Sequence, residues 1–219
     1  MTFTSLLDRG FVYAIAHVRG GGMLGPEWYE DGKLLKKKNT FSDFIDVAEH
    51  LIDQKYTNPK KLFATGRSAG GTLMGAVANM RPDLFKGIIA DVPGVDMLTP
   101  WGDKSDTHFE IDLDFGDPNI EEHYYYMLSY SPYDNVVAKD YPNMLVTTAL
   151  KDTNVPYWGP TKWVAKLRAL KTDNNLLILR TDMEGGHGGE TKRYQKWRDT
   201  AFRIAFLLDL VGIARSEPF

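Results

Sequence analysis

Short apolar segments alternate with helix-like segments along almost the whole chain. The apolar segments predict strands at residues 11–18, 62–65, 87–92, 144–150 and 176–180, and the intervening patterns predict helices at 40–54, 69–80, 120–128, 158–170 and 191–210. Such alternation is typical of the α/β class, with a mainly parallel sheet and helices on both faces. Because 219 residues suit a single core, we expect one domain over residues 1–219.

Composition and charge exclude several classes of protein. With 43% hydrophobic and 25% charged residues, the chain is typical of a globular protein. Its net charge of −3 provides no basic surface for nucleic acid, and no apolar run is long enough to cross a membrane. The absence of cysteine excludes a thiolate nucleophile and disulfides. Since the first residues do not resemble a secretion signal, we expect a cytoplasmic protein.

The residues from Gly66 to Gly70 have the pattern Gly-x-Ser-x-Gly, directly after a predicted strand and before a predicted helix. In that context the pattern predicts a nucleophile elbow, with Ser68 as the nucleophile and both glycines relieving steric crowding. The main-chain N–H of Ala69 is then expected to face a developing oxyanion. The alternative is a glycine-rich turn with an incidental serine.

A serine nucleophile needs a base, and the candidates are the five histidines His17, His50, His108, His123 and His187. His187 follows the last predicted strand, within a glycine-rich segment at residues 184–189. An α/β-hydrolase has its base at that place in the chain. We therefore predict that His187 is the general base.

The carboxylate that orients the histidine is expected between serine and histidine in the chain. Asp152 directly follows the predicted strand 144–150 and fits that order. Asp91 and Asp96 are alternatives after an earlier strand, whereas Asp182 and Glu184 stand too close to His187 to be its natural partner. Together the residues predict hydrolysis of an ester or amide through an acyl-enzyme, without a metal or organic cofactor.

Two local predictions concern the N-terminal part. Residues 11–18 (FVYAIAHV) are apolar and β-branched, and glycines follow at 20–22, which predicts a buried strand and a loop. Thr40 and Asp43 have the spacing of a helix capping box, with Asp in place of Glu, and predict a helix that begins at Thr40.

Several longer motifs resemble the prolyl oligopeptidase family of serine hydrolases, and within it the oligopeptidase B group. They include FVYAIAHVRGGG at 11–22, GRSAGG at 66–71, NMRPDLF at 79–85, YSPYDNV at 130–136 and VPYW at 155–158. The resemblance spans nearly the whole chain and implies the same three residues, Ser68, Asp152 and His187, as the catalytic triad.

The resemblance also implies that this is an N-terminally truncated α/β-hydrolase. Family members usually carry a β-propeller, and the chain corresponds to the family from its fourth hydrolase strand onward. A strand that normally lies inside the sheet and a tyrosine of the oxyanion hole are then missing, and losing one such donor costs roughly a hundred- to a thousandfold in rate. We therefore expect an exposed sheet edge that favours a homo-oligomer.

Three functions follow as expectations. The first is an esterase on short-chain acyl esters, because an open site with a weakened oxyanion hole favours activated substrates. The second is a serine oligopeptidase that cleaves after basic residues, with Asp112 or Asp114 of the acidic segment 110–118 as candidate binding groups. The third is an inactive fragment whose exposed edge serves association.

Overall fold

The computed structural model describes residues 4–99, 113–189 and 193–213. Helices are α1 (Thr4–Leu7), α2 (Pro26–Glu30), α3 (Lys38–Asp53), α4 (Ala69–Met80), α5 (Glu121–Leu128), α6 (Trp158–Leu170) and α7 (Arg193–Leu210), with short 3₁₀ turns at Leu34–Lys36 and Pro82–Leu84. Strands are β1 (Phe63–Arg67), β2 (Gly87–Asp91), β3 (Asn143–Ala149) and β4 (Leu177–Asp182). Within this part of the chain, no helix is both long and apolar enough to span a membrane.

The four strands form one parallel sheet in the order β1-β2-β3-β4, so the spatial order follows the chain. Successive side chains of a strand point to opposite faces. Ile88 and Met144 accordingly pack in a large core with α3, α4 and α6, whereas Ile89 and Leu145 pack with Phe206 of α7. The predicted parallel α/β architecture, with helices on both faces, is confirmed.

The predicted strand at residues 11–18 is not present. No residue of this segment is assigned to a strand, and Val12, Tyr13 and Ile15 are exposed by 75%, 44% and 65%. At its start, Phe11 contacts the ring of Phe63 on β1, but no strand described in the structure pairs with the segment. Apolar β-branched residues favour a strand only where a partner supplies hydrogen bonds.

The predicted capping box is also wrong. The helix begins at Lys38, and the hydroxyl of Thr40, already inside it, donates to the carbonyl oxygens of Arg19 at 2.7 Å and Gly32 at 3.2 Å. The carboxylate of Asp43 accepts two-pronged hydrogen bonds from the guanidinium of Arg19 and a further one from its main-chain N–H. Both side chains therefore fix the preceding loop onto α3.

Candidate active site

Ser68 lies at an abrupt turn between β1 and α4. Its backbone has φ 55° and ψ −119°, a strained conformation for a residue with a side chain. Its N–H donates to the main-chain oxygen of Asp91 at the end of β2, and its own carbonyl accepts from Gly71 and Thr72 in the first turn of α4. The strain is thus held by hydrogen bonds on both sides, as expected of a nucleophile elbow.

The glycines of the elbow differ in what they make room for. A Cβ at Gly71 would lie 2.6 Å from Cβ of Pro93, so helix α4 requires a glycine there to approach the loop after β2. A Cβ at Gly70 would meet nothing within 4 Å. The expectation that Gly70 relieves crowding is therefore wrong, and close packing depends on Gly66 and Gly71.

Ser68, His187 and Asp152 meet at the carboxyl ends of the strands. Nε2 of His187 lies 3.1 Å from Oγ of Ser68, and Nδ1 of the same ring lies 2.8 Å from Oδ2 of Asp152. The side chain of Asp152 is fully buried, and that of His187 is 22% exposed. These distances allow a proton to pass from the hydroxyl to the imidazole while the carboxylate orients the ring.

Asp152 is held by the turn that follows it. Its Oδ1 accepts hydrogen bonds from the N–H groups of Asn154 at 2.9 Å and Val155 at 2.8 Å, which leaves Oδ2 directed at the imidazole. A buried carboxylate needs such partners because burial without them is costly. The sequence Asp-Thr-Asn-Val therefore both closes the turn after β3 and orients the acid.

The loop that carries His187 is fixed by its neighbours. Oδ1 of Asp182 accepts from the N–H groups of Glu184 and Gly185, and the N–H of Lys151 donates to the carbonyl of Gly185 at 3.2 Å. The guanidinium of Arg67 donates to the main-chain oxygen of His187. Sequence reasoning missed Arg67, although its place within the Gly-x-Ser-x-Gly pattern could have drawn attention to it.

Ala69 is the first residue of α4, immediately after Ser68. Main-chain N–H groups in the first turn of a helix have no partner within the helix, and the positive end of the helix dipole lies there. Its N–H therefore remains the predicted donor to a negatively charged oxygen at the elbow.

The alternative carboxylates have other partners. Asp91 accepts hydrogen bonds from Thr147 at 2.8 Å and from Arg203 of α7 at 3.1 Å, so it fastens the last helix to the sheet. Asp96 is buried and forms an ion pair with Lys162. Both carboxylates therefore hold structural elements together in this conformation.

Among the described histidines, it is His187 that is hydrogen-bonded to Ser68. His17 and His50 are exposed, and Nδ1 of His123 accepts a hydrogen bond from the N–H of Asp117. His108 lies outside the described residues. Among the residues that the structure describes, no group of three or more His, Asp or Glu side chains is placed to hold a metal ion.

The acidic segment is only partly described, and Asp112 lies outside the described residues. Oδ1 of Asp114 accepts a 2.6 Å hydrogen bond from the phenol of Tyr29, which raises the pKa of Tyr29 to about 12. Burial lowers the pKa of the nearby Lys37, whose ammonium lies 4.3 Å from the ring centre of Phe115, although the charge of Asp114 opposes that change. Asp114 is thus engaged within the protein.

Comparison with known proteins gives a consistent result. A model of the prolyl oligopeptidase family matches residues 1–214. The chain is 52% identical to Protease 2 of Moraxella lacunata over 97% of its length, and 49% identical to dipeptidyl aminopeptidase BI of Pseudoxanthomonas mexicana over 98%. A solved structure of oligopeptidase B from Leishmania major superposes with a TM-score of 0.93 at 50% identity, over 97% of this chain.

These relatives are much longer proteins. The chain spans 31% of Protease 2, 30% of the dipeptidyl aminopeptidase and 30% of the oligopeptidase B chain. The likeness therefore concerns one part of each relative, and the part it covers has the α/β-hydrolase fold.

Proposed function

Because this chain belongs to the prolyl oligopeptidase family of serine peptidases, we propose that Ser68, His187 and Asp152 form a catalytic triad that hydrolyses peptide bonds. The hydrogen-bonded line from hydroxyl through imidazole to buried carboxylate carries this proposal. Both distances lie within the reach that proton transfer requires.

In the first step, Oγ of Ser68 attacks the carbonyl carbon of the scissile bond while Nε2 of His187 takes its proton. Asp152 accepts from the protonated ring at Nδ1 and stabilises the imidazolium. The carbonyl oxygen becomes an oxyanion, and the N–H of Ala69 donates a hydrogen bond to it. The ring then gives its proton to the leaving amine, and an acyl-enzyme remains.

In the second step, water attacks the acyl-enzyme with His187 again as base, and the proton returns to Ser68 as the ester bond breaks. The dyad of His187 and Asp152 serves both steps without rearrangement, because Asp152 is fixed by two main-chain N–H groups on its other oxygen.

Peptides are the better-supported substrate class. The residues alone favour short-chain esters, but the two curated relatives are named as a protease and an aminopeptidase, and the solved structure as an oligopeptidase. The oligopeptidase alternative therefore replaces the esterase as the main proposal. Activated esters remain useful as test substrates because they need less stabilisation of the oxyanion.

We further propose a preference for cleavage after arginine or lysine, for which the acidic segment 110–118 is the supporting feature. Of the carboxylates in this segment that the structure describes, Asp114 lies nearest to the middle of the segment. It already accepts a hydrogen bond from Tyr29. A bound basic side chain would then share this carboxylate with the phenol, which a charge-assisted pair allows.

The proposal is tested with purified protein and three chromogenic substrates: an arginyl peptide amide, a prolyl peptide amide and a nitrophenyl acetate. We expect turnover of the arginyl amide above that of the prolyl amide, and loss of all turnover in Ser68→Ala. Turnover that persists in Ser68→Ala, or a folded protein inactive on all three substrates, would contradict peptidase function.

A second candidate function, association with another copy, is favoured by the exposed apolar segment at residues 11–18, which lies outside the described four-stranded sheet. The segment is uncharged, apolar and largely exposed, and identical segments of two copies can pair antiparallel with each other. Such pairing would give the segment a strand partner and cover its exposed apolar side chains.

A further inference from the structure

The loop that carries His187 is rich in glycine, with the sequence Glu-Gly-Gly-His-Gly-Gly at residues 184–189. Such a segment has few side chains that could pack it in place, and its backbone entropy is high. Glu184 and Gly185, which precede His187, are held by hydrogen bonds that they donate to Asp182 and by one that Gly185 accepts from Lys151. A hydrogen bond from the N–H of Gly189 to the carbonyl of Gly186 closes the loop around His187, and the main chain of His187 needs a support of its own from outside the loop.

That support comes from Arg67. Among hydrogen bonds between described residues, the one that reaches the main chain of His187 is donated by the guanidinium of Arg67 to its carbonyl oxygen. Arg67 is the last residue of β1 and pairs in register with Asp91 of β2, so the sheet fixes its backbone. Ser68 is the next residue in the chain.

We propose that Arg67 is a positioning residue that joins the nucleophile's strand to the loop of the base. By holding the carbonyl of His187, it fixes the Cα from which the imidazole reaches to Oγ of Ser68, 3.1 Å away. Arg67 acts through His187 and has no part in bond making. The role rests on the proposed function of the triad.

The charge of the guanidinium suits this task. A hydrogen bond donated by a charged group is stronger than a neutral one, and the planar fork of arginine loses little freedom when it binds. Because the side chain of Arg67 is exposed, solvent weakens the attraction, and we expect an effect on geometry more than on stability. A displacement of about 1 Å at the base can cost about a hundredfold in rate.

The test compares Arg67→Met, Arg67→Lys and a control, Arg168→Met. Arg168 also donates to a main-chain oxygen, that of Leu177 at the start of β4, so the same substitution is made away from the base. We expect kcat to fall roughly ten- to a hundredfold in Arg67→Met, with KM within about twofold. Arg67→Lys should recover part of kcat, since an ammonium still donates one hydrogen bond, and Arg168→Met should leave kcat unchanged.

Proton NMR supplies a readout independent of turnover. The Nδ1–H proton of His187, hydrogen-bonded to Asp152, should give a downfield signal that broadens or disappears in Arg67→Met and persists in Arg168→Met. A sharp, unshifted signal in folded Arg67→Met, or an unchanged kcat, would overturn the proposal. An inactive wild type would refute the proposed function alone, because the NMR spectra would still decide the role of Arg67. If Arg67→Met does not fold, the Nδ1–H signal of Arg67→Lys decides whether Arg67 positions the base.

Discussion

Gly66 lies directly against the main chain of Gly70 across the nucleophile elbow. A Cβ at Gly66 would come within 2.1 Å of the carbonyl oxygen of Gly70 and 2.5 Å of its carbonyl carbon. Those atoms belong to the backbone of α4 and cannot move aside without disturbing the helix that follows Ser68. The end of β1 and the first turn of α4 are therefore so close that position 66 has no room for a side chain.

This contact predicts opposite outcomes for two alanine substitutions. Gly66→Ala should destabilise the protein by about 1–3 kcal/mol or more through overpacking, and should distort the elbow. Gly70→Ala should retain activity and gain up to about 1 kcal/mol, because alanine favours helices and its Cβ meets open space. Thermal unfolding and labelling of Ser68 by a fluorophosphonate measure both effects; equal behaviour of the two variants would contradict the packing argument.

Asp152→Asn should lower kcat by roughly a thousand- to ten-thousandfold with little change in fold. The amide cannot stabilise the imidazolium, and it favours the wrong tautomer of His187. Steady-state kinetics on an activated substrate measure the loss. Asp140→Asn, which changes an exposed carboxylate hydrogen-bonded to Thr172, serves as the control and should keep full activity; a loss below tenfold in Asp152→Asn would count against its role.

Asp43→Asn should lower stability by about 1–3 kcal/mol at neutral pH, because Arg19 then loses a charged partner. The hydrogen bonds from Arg19 hold the pKa of Asp43 below its usual value in the folded protein. Their contribution is thus complete above the unfolded pKa, near 4, and is lost as pH falls through the lower folded value.

Denaturant unfolding between about pH 3 and 7 checks this dependence, with Asp53→Asn at the end of the same helix as the control. The difference between wild type and Asp43→Asn should be constant above about pH 5 and shrink in acid. A difference that grows in acid would have the wrong sign for a carboxylate whose pKa is lowered by folding.

Asp114→Asn should return the pKa of Tyr29 from about 12 toward its ordinary value of about 10, because the carboxylate that stabilises the protonated phenol is removed. Ultraviolet absorbance follows the ionisation of the tyrosines as pH rises, and comparison with Tyr29→Phe shows which part of the change belongs to Tyr29. If Asp114 also binds basic side chains, the same variant should raise KM for the arginyl amide more than for the prolyl amide. An equal change in both would restrict Asp114 to its structural role.

Ile15→Lys should weaken self-association, since a charge within an exposed strand-like segment opposes pairing of two copies. Sedimentation velocity at micromolar concentration measures it. Leu24→Lys is the matched control, because Leu24 is also exposed, by 61%, but lies outside residues 11–18. A monomeric wild type, or an equal effect of both substitutions, would remove the association proposal.

The sequence predicts the elements that form the site because each depends on local patterns. The observed limits of α6 agree with its predicted residues, and β2, β3 and α4 differ by a residue or less at each end. Ser68, Asp152 and His187 could be chosen because each follows a recognisable strand. Local patterns therefore predict the strands whose neighbours are other strands of the described sheet.

Interactions between distant segments could not be predicted in this way. Residues 11–18 have the composition of a buried strand, but burial depends on neighbours and not on composition. The bond from Arg67 to His187 joins residues 120 positions apart, and no local spacing encodes it. Thr40 has the identity of a cap, yet its hydroxyl reaches the carbonyl of Arg19, in the loop after residues 11–18.

The strand order also sets a limit on the length of the base-bearing loop. β1 and β4 are the outer members of the four described strands, about 14 Å apart at the usual spacing between neighbours. His187 stands five positions beyond the end of β4, and five residues can reach at most roughly 17 Å. The segment therefore leans back across the sheet toward β1, and the side chains of His187 and Ser68 cover the rest of the distance, so deletion of a residue between β4 and His187 would draw the imidazole away from the hydroxyl.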